Sequence, residues 1–117
     1  MDLRVLIVDD DPGFRQAARE LLRARGYVVV ADAHDRRSAI AAVRLLKPDA
    51  VLLDVGLGPD DGFDVARAVE RERPGTAVLL MSCNDQEDSA AAAHRAGARG
   101  FVVKSELVRA DFTAYWP

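Results

Sequence analysis

Short apolar runs of strand length alternate along this chain with longer stretches of helical periodicity, and this alternation restricts the fold more than any other feature. Strands buried on both faces of a parallel sheet are typically short and rich in Val and Leu. Because such strands alternate with helices through short connections and right-handed crossovers, we expect a doubly wound α/β fold. The runs are LRVLIV (3–8), VVVA (28–31), AVLL (50–53), AVLLM (77–81) and GFVV (100–103).

The stretches between these runs have the apolar stripes and the end residues of helices. The first, PGFRQAARELLRARG, has Pro12 where a helix accepts proline and Gly26 where a helix commonly ends. The next two are stopped by Pro48 and Pro74, since the residue before a proline disfavours helical backbone. A fourth is rich in alanine. The final segment, SELVRADFTAYWP (105–117), predicts a short fifth helix.

Length and charge narrow the classes of protein further. A chain of 117 residues has the size of one domain, so we expect a single domain over residues 1–117. The net charge of −3 argues against direct nucleic-acid binding by this domain. The apolar runs are too short to cross a membrane and no signal peptide is visible, so we expect a cytoplasmic protein. The lone cysteine, Cys83, has no disulfide partner and is expected to be buried.

Polar side chains stand where the apolar runs end. Carboxyl ends of parallel strands share one edge of the sheet, where ligands collect. Carboxylates crowded together there repel one another, and one lysine leaves negative charge that a divalent cation such as Mg²⁺ neutralises. We therefore expect a Mg²⁺ site at this edge. The residues concerned are Asp9 and Asp10 after the first run, Asp54 after the third, Ser82 after the fourth and Lys104 after the fifth.

One of these carboxylates is available to act as a nucleophile. Asp9 and Asp10 are paired as metal ligands would be, whereas Asp54 stands alone at a central strand end. A carboxylate can attack a phosphoryl group if a metal and a lysine neutralise the phosphoryl oxygens and a hydroxyl donates to one of them. Asp54 is the candidate nucleophile, with Lys104 as the cation and Ser82 as the hydroxyl donor.

These motifs resemble the receiver domains of two-component response regulators. The resemblance runs to about residue 108 and rests on VDDDP after the first strand, Gly62 eight residues after Asp54, and the spacings Asp54 to Ser82 (28) and Ser82 to Lys104 (22). It implies a flavodoxin-like (βα)5 fold with a parallel five-stranded sheet of order 2-1-3-4-5. It also implies a phosphoacceptor domain, not an enzyme, that assists its own phosphorylation and dephosphorylation.

The resemblance also assigns roles and partners. Asp54 would accept a phosphoryl group from a histidine kinase or phosphotransfer protein, and Ser82 and Lys104 would contact the phosphate. Mg²⁺ would be held by Asp9, Asp10, Asp54 and the backbone carbonyl of Gly56. A homodimer is a further possibility. The stretch GARGFVVKSEL is most similar to receivers attached to helix-turn-helix output domains of the LuxR class.

The switch follows from the charge that a phosphoryl group adds, about −1.5 to −2. Ser82 would be drawn toward the phosphate, and Phe101, at the family's switch position, would turn inward. The face made by helix 4, strand 5 and helix 5 would then change and control a partner or output domain. Ser105 follows Lys104 where many relatives have a cis proline, and we expect a trans peptide there. Gly56 and Asn84 occupy the positions that set phosphoryl lifetime in the family.

Other functions and roles stay open beside this one. Haloacid-dehalogenase-like phosphatases also use an aspartyl nucleophile with Mg²⁺, and Asp9 and Asp11 have their D-x-D spacing. Those enzymes place the nucleophile after the first strand, are usually longer chains and need a late acidic pair that this sequence lacks. A phosphate-independent interaction module with a receiver fold is the second alternative. Asp11 itself is expected to cap the first helix ahead of Pro12. Asp60, Asp61 and Asp64 are expected to be turn and cap residues and not ligands.

Overall fold

The computed structural model describes residues 2–83 and 89–117, and five parallel strands form its main sheet. Asn84 lies outside the described residues. The sheet order is β2-β1-β3-β4-β5, which confirms the flavodoxin-like doubly wound fold expected above. The strands are β1 (Arg4–Val8), β2 (Val28–Ala33), β3 (Ala50–Asp54), β4 (Ala77–Ser82) and β5 (Gly100–Val103).

In the part of the chain that the structure describes, four α-helices and two 3-10 helices cover the two faces of this sheet. One face packs against α2, α3 and α4, and the other against α1 and the C-terminal segment. Every residue of β3 and of β4 is buried, as expected for central strands covered on both sides. The helices are α1 (Pro12–Ala24), α2 (Arg36–Leu46), α3 (Gly62–Glu72) and α4 (Ser89–Arg95), followed by the 3-10 helices Lys104–Arg109 and Phe112–Ala114.

The predicted fifth α-helix is wrong. The chain takes extended backbone at Ala110 and Asp111, and the Asp111 side chain accepts a hydrogen bond from the Thr113 N–H to start the second 3-10 helix. Leu107 and Phe112 are both buried, but residues five apart point about 140° away from each other on an α-helix. The break is what brings both side chains into the core.

Aromatic packing holds this C-terminal segment. Phe112 and Trp116 stack with ring centroids 5.0 Å apart, and Tyr27 meets both rings edge-on. The Arg25 guanidinium donates to the backbone carbonyls of Val108 and Ala110. The segment therefore closes the α1 side of the core without a regular helix.

The connection after β3 forms a small antiparallel hairpin between Gly56–Leu57 and Asp60–Asp61. Gly58 occupies the first position of its two-residue loop with φ of 67°, a left-handed backbone that favours glycine. The hairpin leads directly into α3, which the Asp61 side chain caps by accepting from the Phe63 N–H. No helix among the described residues is long and apolar enough to cross a membrane.

Candidate metal and phosphoryl site

Strand register brings the predicted site residues together at the carboxyl edge of the sheet. Val8 pairs with Leu53, so the residues that follow them, Asp9 and Asp54, lie side by side on neighbouring strands. Asp54 in turn pairs with Met81 on β4, one residue before the buried Ser82. Ser82 pairs with Val103 on β5, immediately before Lys104. The strand ends that carry these four residues therefore lie side by side, as expected for carboxyl ends of parallel strands.

Three carboxylates form an acidic triad, Asp9, Asp10 and Asp54. One oxygen from each lies within 4.8 Å of the others. Asp9 and Asp54 are 0% and 5% exposed, whereas Asp10 is exposed. The triad is therefore open to solvent on one side and closed toward the core on the other.

Lys104 bridges the two buried members of the triad. Its Nζ lies 2.6 Å from Asp9 Oδ2 and donates a hydrogen bond to Asp54 Oδ2 at 3.0 Å. The ammonium also lies 4.3 Å from the centroid of the Phe14 ring. Burial lowers the pKa of Lys104, but the hydrogen bonds to Asp9 and Asp54 outweigh that effect, so its pKa is raised. Lys104 is thus a firmly charged cation.

Asp9 is short of compensation in spite of this lysine. Burial raises the pKa of its carboxyl above the ordinary value, although Lys104 and the Asp11 N–H act to lower it. Its Oδ1 accepts from the Asp11 N–H at 2.9 Å. Its Oδ2 is buried and lies 2.6 Å from the Lys104 Nζ, its ion-pair partner.

These features fit a hard divalent cation. Three carboxylates that share one lysine keep excess negative charge. Their oxygens are the donor set that Mg²⁺ takes, because Mg²⁺ binds oxygen ligands and retains several waters. Asp10 on the open side leaves space for those waters. Gly56, expected to offer its carbonyl, begins the hairpin beside Asp54 and donates its N–H to Asp54 Oδ1 at 3.1 Å.

The structure also settles several smaller predictions. Asp11 caps α1 by accepting from the Gly13 N–H at 3.0 Å, as expected. The Lys104–Ser105 peptide is trans, since no cis peptide occurs among the described residues. Cys83 was expected to be buried and is exposed, because it follows the last residue of β4 and its side chain lies outside the sheet.

Phe101 lies half-buried on β5 and packs against the core that faces α2, α3 and α4. It is the register partner of Leu80, two residues before Ser82. This position is compatible with a side chain that responds to Ser82, and its switching role stays a prediction.

Two contacts of the site were missed by sequence reasoning. Phe14 packs under the Lys104 ammonium, and Arg15 donates to the backbone carbonyl of Asp9 at 2.7 Å. Both residues lie in the first turn and a half of α1, directly after the acidic loop of residues 9–11. A helix that begins beside a site aims its first side chains back toward it, which is the pattern that could have identified them.

Known proteins are similar to this chain in sequence and in fold. A family model described as the response regulator receiver domain matches residues 5–111. The chemotaxis protein CheY of Thermotoga maritima is 32% identical over 104 residues, covering 89% of this chain and 87% of that protein. A probable transcriptional regulatory protein NarL of Mycobacterium tuberculosis is 36% identical over 113 residues, covering 92% of this chain and 52% of the relative.

A solved structure gives the same picture. The crystal structure of a LuxR-family two-component response regulator from Aurantimonas sp. SI85-9A1 superposes with a TM-score of 0.87 at 32% identity, covering 93% of this chain and 79% of that chain. The chain spans about half the length of several curated regulators that it matches.

Proposed function

The chain belongs to the response regulator receiver domain family of two-component systems, and we propose that it is a phosphoacceptor switch whose Asp54 takes a phosphoryl group from a histidine kinase or phosphotransfer protein. The observation that carries this proposal is the position of Asp54. Its carboxylate is nearly buried, is hydrogen-bonded to Lys104 and belongs to the acidic triad.

In the proposed step, a carboxylate oxygen of Asp54 attacks the phosphorus of phosphohistidine. A P–O bond forms and the P–N bond breaks. The electron pair of the P–N bond goes to the imidazole nitrogen, which takes a proton from water and leaves as neutral imidazole. When bound by Asp9, Asp10, Asp54 and the Gly56 carbonyl, Mg²⁺ supplies charge neutralisation for the phosphoryl oxygens.

The chain's own groups supply the rest of the chemistry. Lys104 already lies within hydrogen-bond distance of Asp54 and would move its contact to a phosphoryl oxygen. The Gly56 N–H, which donates to Asp54 Oδ1, keeps the carboxylate oriented before attack. Ser82, at the end of the neighbouring strand, would donate its hydroxyl to another phosphoryl oxygen. The domain would assist this transfer and the later hydrolysis without being an enzyme with a separate substrate.

We propose that the acyl phosphate on Asp54 causes a conformational change that is transmitted to the surface through β5. Ser82 would shift toward the phosphate and Phe101 would turn into the space it leaves. The face that changes is formed by α4, β5 and the 3-10 helix Lys104–Arg109, which takes the place of a regular fifth helix. The domain would act in the cytoplasm on a partner or output domain without contacting nucleic acid itself, and a homodimer is compatible with it.

Beryllofluoride, which mimics an acyl phosphate, tests this function. With Mg²⁺ present, it should bind the wild-type domain and shift the NMR resonances of Ser82 and Phe101. Asp54→Asn should show neither effect, because it lacks the acceptor carboxylate. Absence of both effects in the wild type would favour the phosphate-independent module. Multiple turnover of a phosphate ester would favour the phosphatase, against which the structure already shows Asp11 engaged as a helix cap.

A further inference from the structure

We propose that Arg15 is a positioning residue for the Mg²⁺ site, acting through the backbone of Asp9 and Asp10. The inference rests on the proposed function, since it concerns the same acidic triad. Arg15 lies one turn into α1 and its Nη1 donates to the Asp9 carbonyl oxygen at 2.7 Å. Removal of a side chain that orients a metal ligand without contacting the metal typically weakens metal binding 10- to 100-fold.

The contact of Arg15 completes the set of restraints on Asp9. The Asp9 N–H donates to the carbonyl of Ala33 at 3.0 Å, extending the β1–β2 ladder by one residue. The Asp9 Oδ1 accepts from the Asp11 N–H at 2.9 Å. The carbonyl that accepts from Arg15 belongs to the peptide between Asp9 and Asp10. The orientation of this peptide therefore affects the positions of both carboxylates. Asp9 Oδ2 then faces the Lys104 ammonium at 2.6 Å, within the acidic triad.

Arg15 is itself held in place from β2. Its Nε lies 3.6 Å from Asp32 Oδ2, and the same oxygen accepts from Arg19 Nη2 at 2.6 Å. The Arg15 Nε is buried and makes no hydrogen bond with the described residues, so this contact is an ion pair only. The guanidinium therefore spans the gap between β2 and the acidic loop, where it contacts the Asp32 carboxylate and the Asp9 carbonyl.

The charge of Arg15 and its positioning role predict opposite changes in Mg²⁺ affinity when this side chain is removed. A guanidinium close to the site repels a dication, so removing its charge alone would tighten Mg²⁺ binding. Removing a restraint on the Asp9–Asp10 peptide would weaken Mg²⁺ binding, because the ligands would have to be ordered during binding. The sign of the change in affinity therefore separates the two effects.

Arg19 offers a matched control. It shares the Asp32 carboxylate with Arg15, at 2.6 Å against 3.6 Å, and its hydrogen bond goes to Asp32 and not to Asp9. Arg15→Gln and Arg19→Gln remove one positive charge each and weaken the same bridge to β2. They differ in the hydrogen bond to the Asp9 carbonyl.

Isothermal titration calorimetry with MgCl₂ tests the proposal on the wild type, Arg15→Gln, Arg19→Gln and Arg15→Lys. We expect roughly 10-fold weaker Mg²⁺ binding for Arg15→Gln, near wild-type binding for Arg19→Gln, and partial recovery for Arg15→Lys, which retains one donor. Urea unfolding in EDTA on the same variants confirms that each is folded. If Arg15→Gln does not fold, the Mg²⁺ affinity of Arg15→Lys can be compared with that of the wild type instead.

Each other outcome overturns the proposal. Unchanged or tighter binding by Arg15→Gln, beside normal binding by the wild type, would contradict the positioning role and leave the proposed function intact. Equal weakening by Arg15→Gln and Arg19→Gln would assign the effect to the Asp32 bridge. Absence of Mg²⁺ binding by the wild type would overturn this inference together with the proposed function.

Discussion

Replacement of Lys104 by Met tests how the acidic triad is held together in the absence of metal. Met retains most of the apolar stem but removes the charge that lies 2.6 Å from Asp9 and 3.0 Å from Asp54. Loss of one partner leaves a buried charge uncompensated, which typically costs about 3 to 5 kcal/mol. We expect the lower end, about 3 kcal/mol at neutral pH, because Asp10 and the open side of the site admit solvent.

The loss should depend on pH and on Mg²⁺. The pKa of Asp9 is already raised by burial and rises further without Lys104. Because a carboxyl with a raised folded-state pKa binds protons more readily when folded, the variant should regain stability as the pH falls through that pKa. Mg²⁺ should also restore part of the stability, because a cation bound to the folded state alone stabilises it.

Urea unfolding of Lys104→Met in EDTA and in MgCl₂ measures both effects. Asp9→Asn supplies the matched background: with the buried carboxylate gone, the cost of Lys104→Met should fall well below 3 kcal/mol. An equal cost in both backgrounds, or no recovery with Mg²⁺ or acid, would refute the claim that Lys104 compensates Asp9.

Three further predictions concern packing and capping, measured by urea unfolding. Gly100→Ala should cost about 1 to 3 kcal/mol, because its Cβ would lie 2.4 Å from the Tyr115 ring; the cost should vanish in a Tyr115→Ala background, and its persistence would contradict docking of the C-terminal segment on β5. Gly62→Ala should be more damaging, because its Cβ would lie 2.3 Å from the backbone of Val55, which cannot swing aside; a neutral result would contradict this close approach. Asp11→Ala should cost about 1 kcal/mol as a lost helix cap and leave Mg²⁺ affinity near wild type by calorimetry; weaker Mg²⁺ binding would place Asp11 in the metal site.

The sequence predicted the sheet and the main site residues because both depend on short-range patterns. Where an apolar run ends on a polar residue, that residue lies at the carboxyl edge of the sheet, whatever the distance along the chain. Asp54 and Lys104 are 50 residues apart and hydrogen-bonded for this reason. The cap formed by Asp11 follows from equally local chemistry, an acidic residue directly before a proline at the helix start.

The C-terminal segment was not predictable in the same way. Its residues have acceptable helix propensity, but one continuous α-helix would not bury both Leu107 and Phe112. In the core, the Phe112 ring stacks on Trp116 and meets Tyr27 edge-on. Tertiary packing therefore overrides local preference there. The role of Arg15 was hidden for a related reason, since a charged residue on the first turn of a helix is ordinarily solvated, and its contact with the Asp9 carbonyl depends on the path of the acidic loop.

Asp54 is the proposed phosphoacceptor, and phosphorylation there is expected to need a divalent cation. Incubation with acetyl phosphate, followed by intact mass spectrometry, tests it most directly. The wild type with Mg²⁺ should gain about 80 Da, one phosphoryl group, and the gain should be lost on alkaline treatment, in EDTA and in Asp54→Asn. A gain of the same mass in Asp54→Asn, or no gain in the wild type with Mg²⁺, would contradict the account.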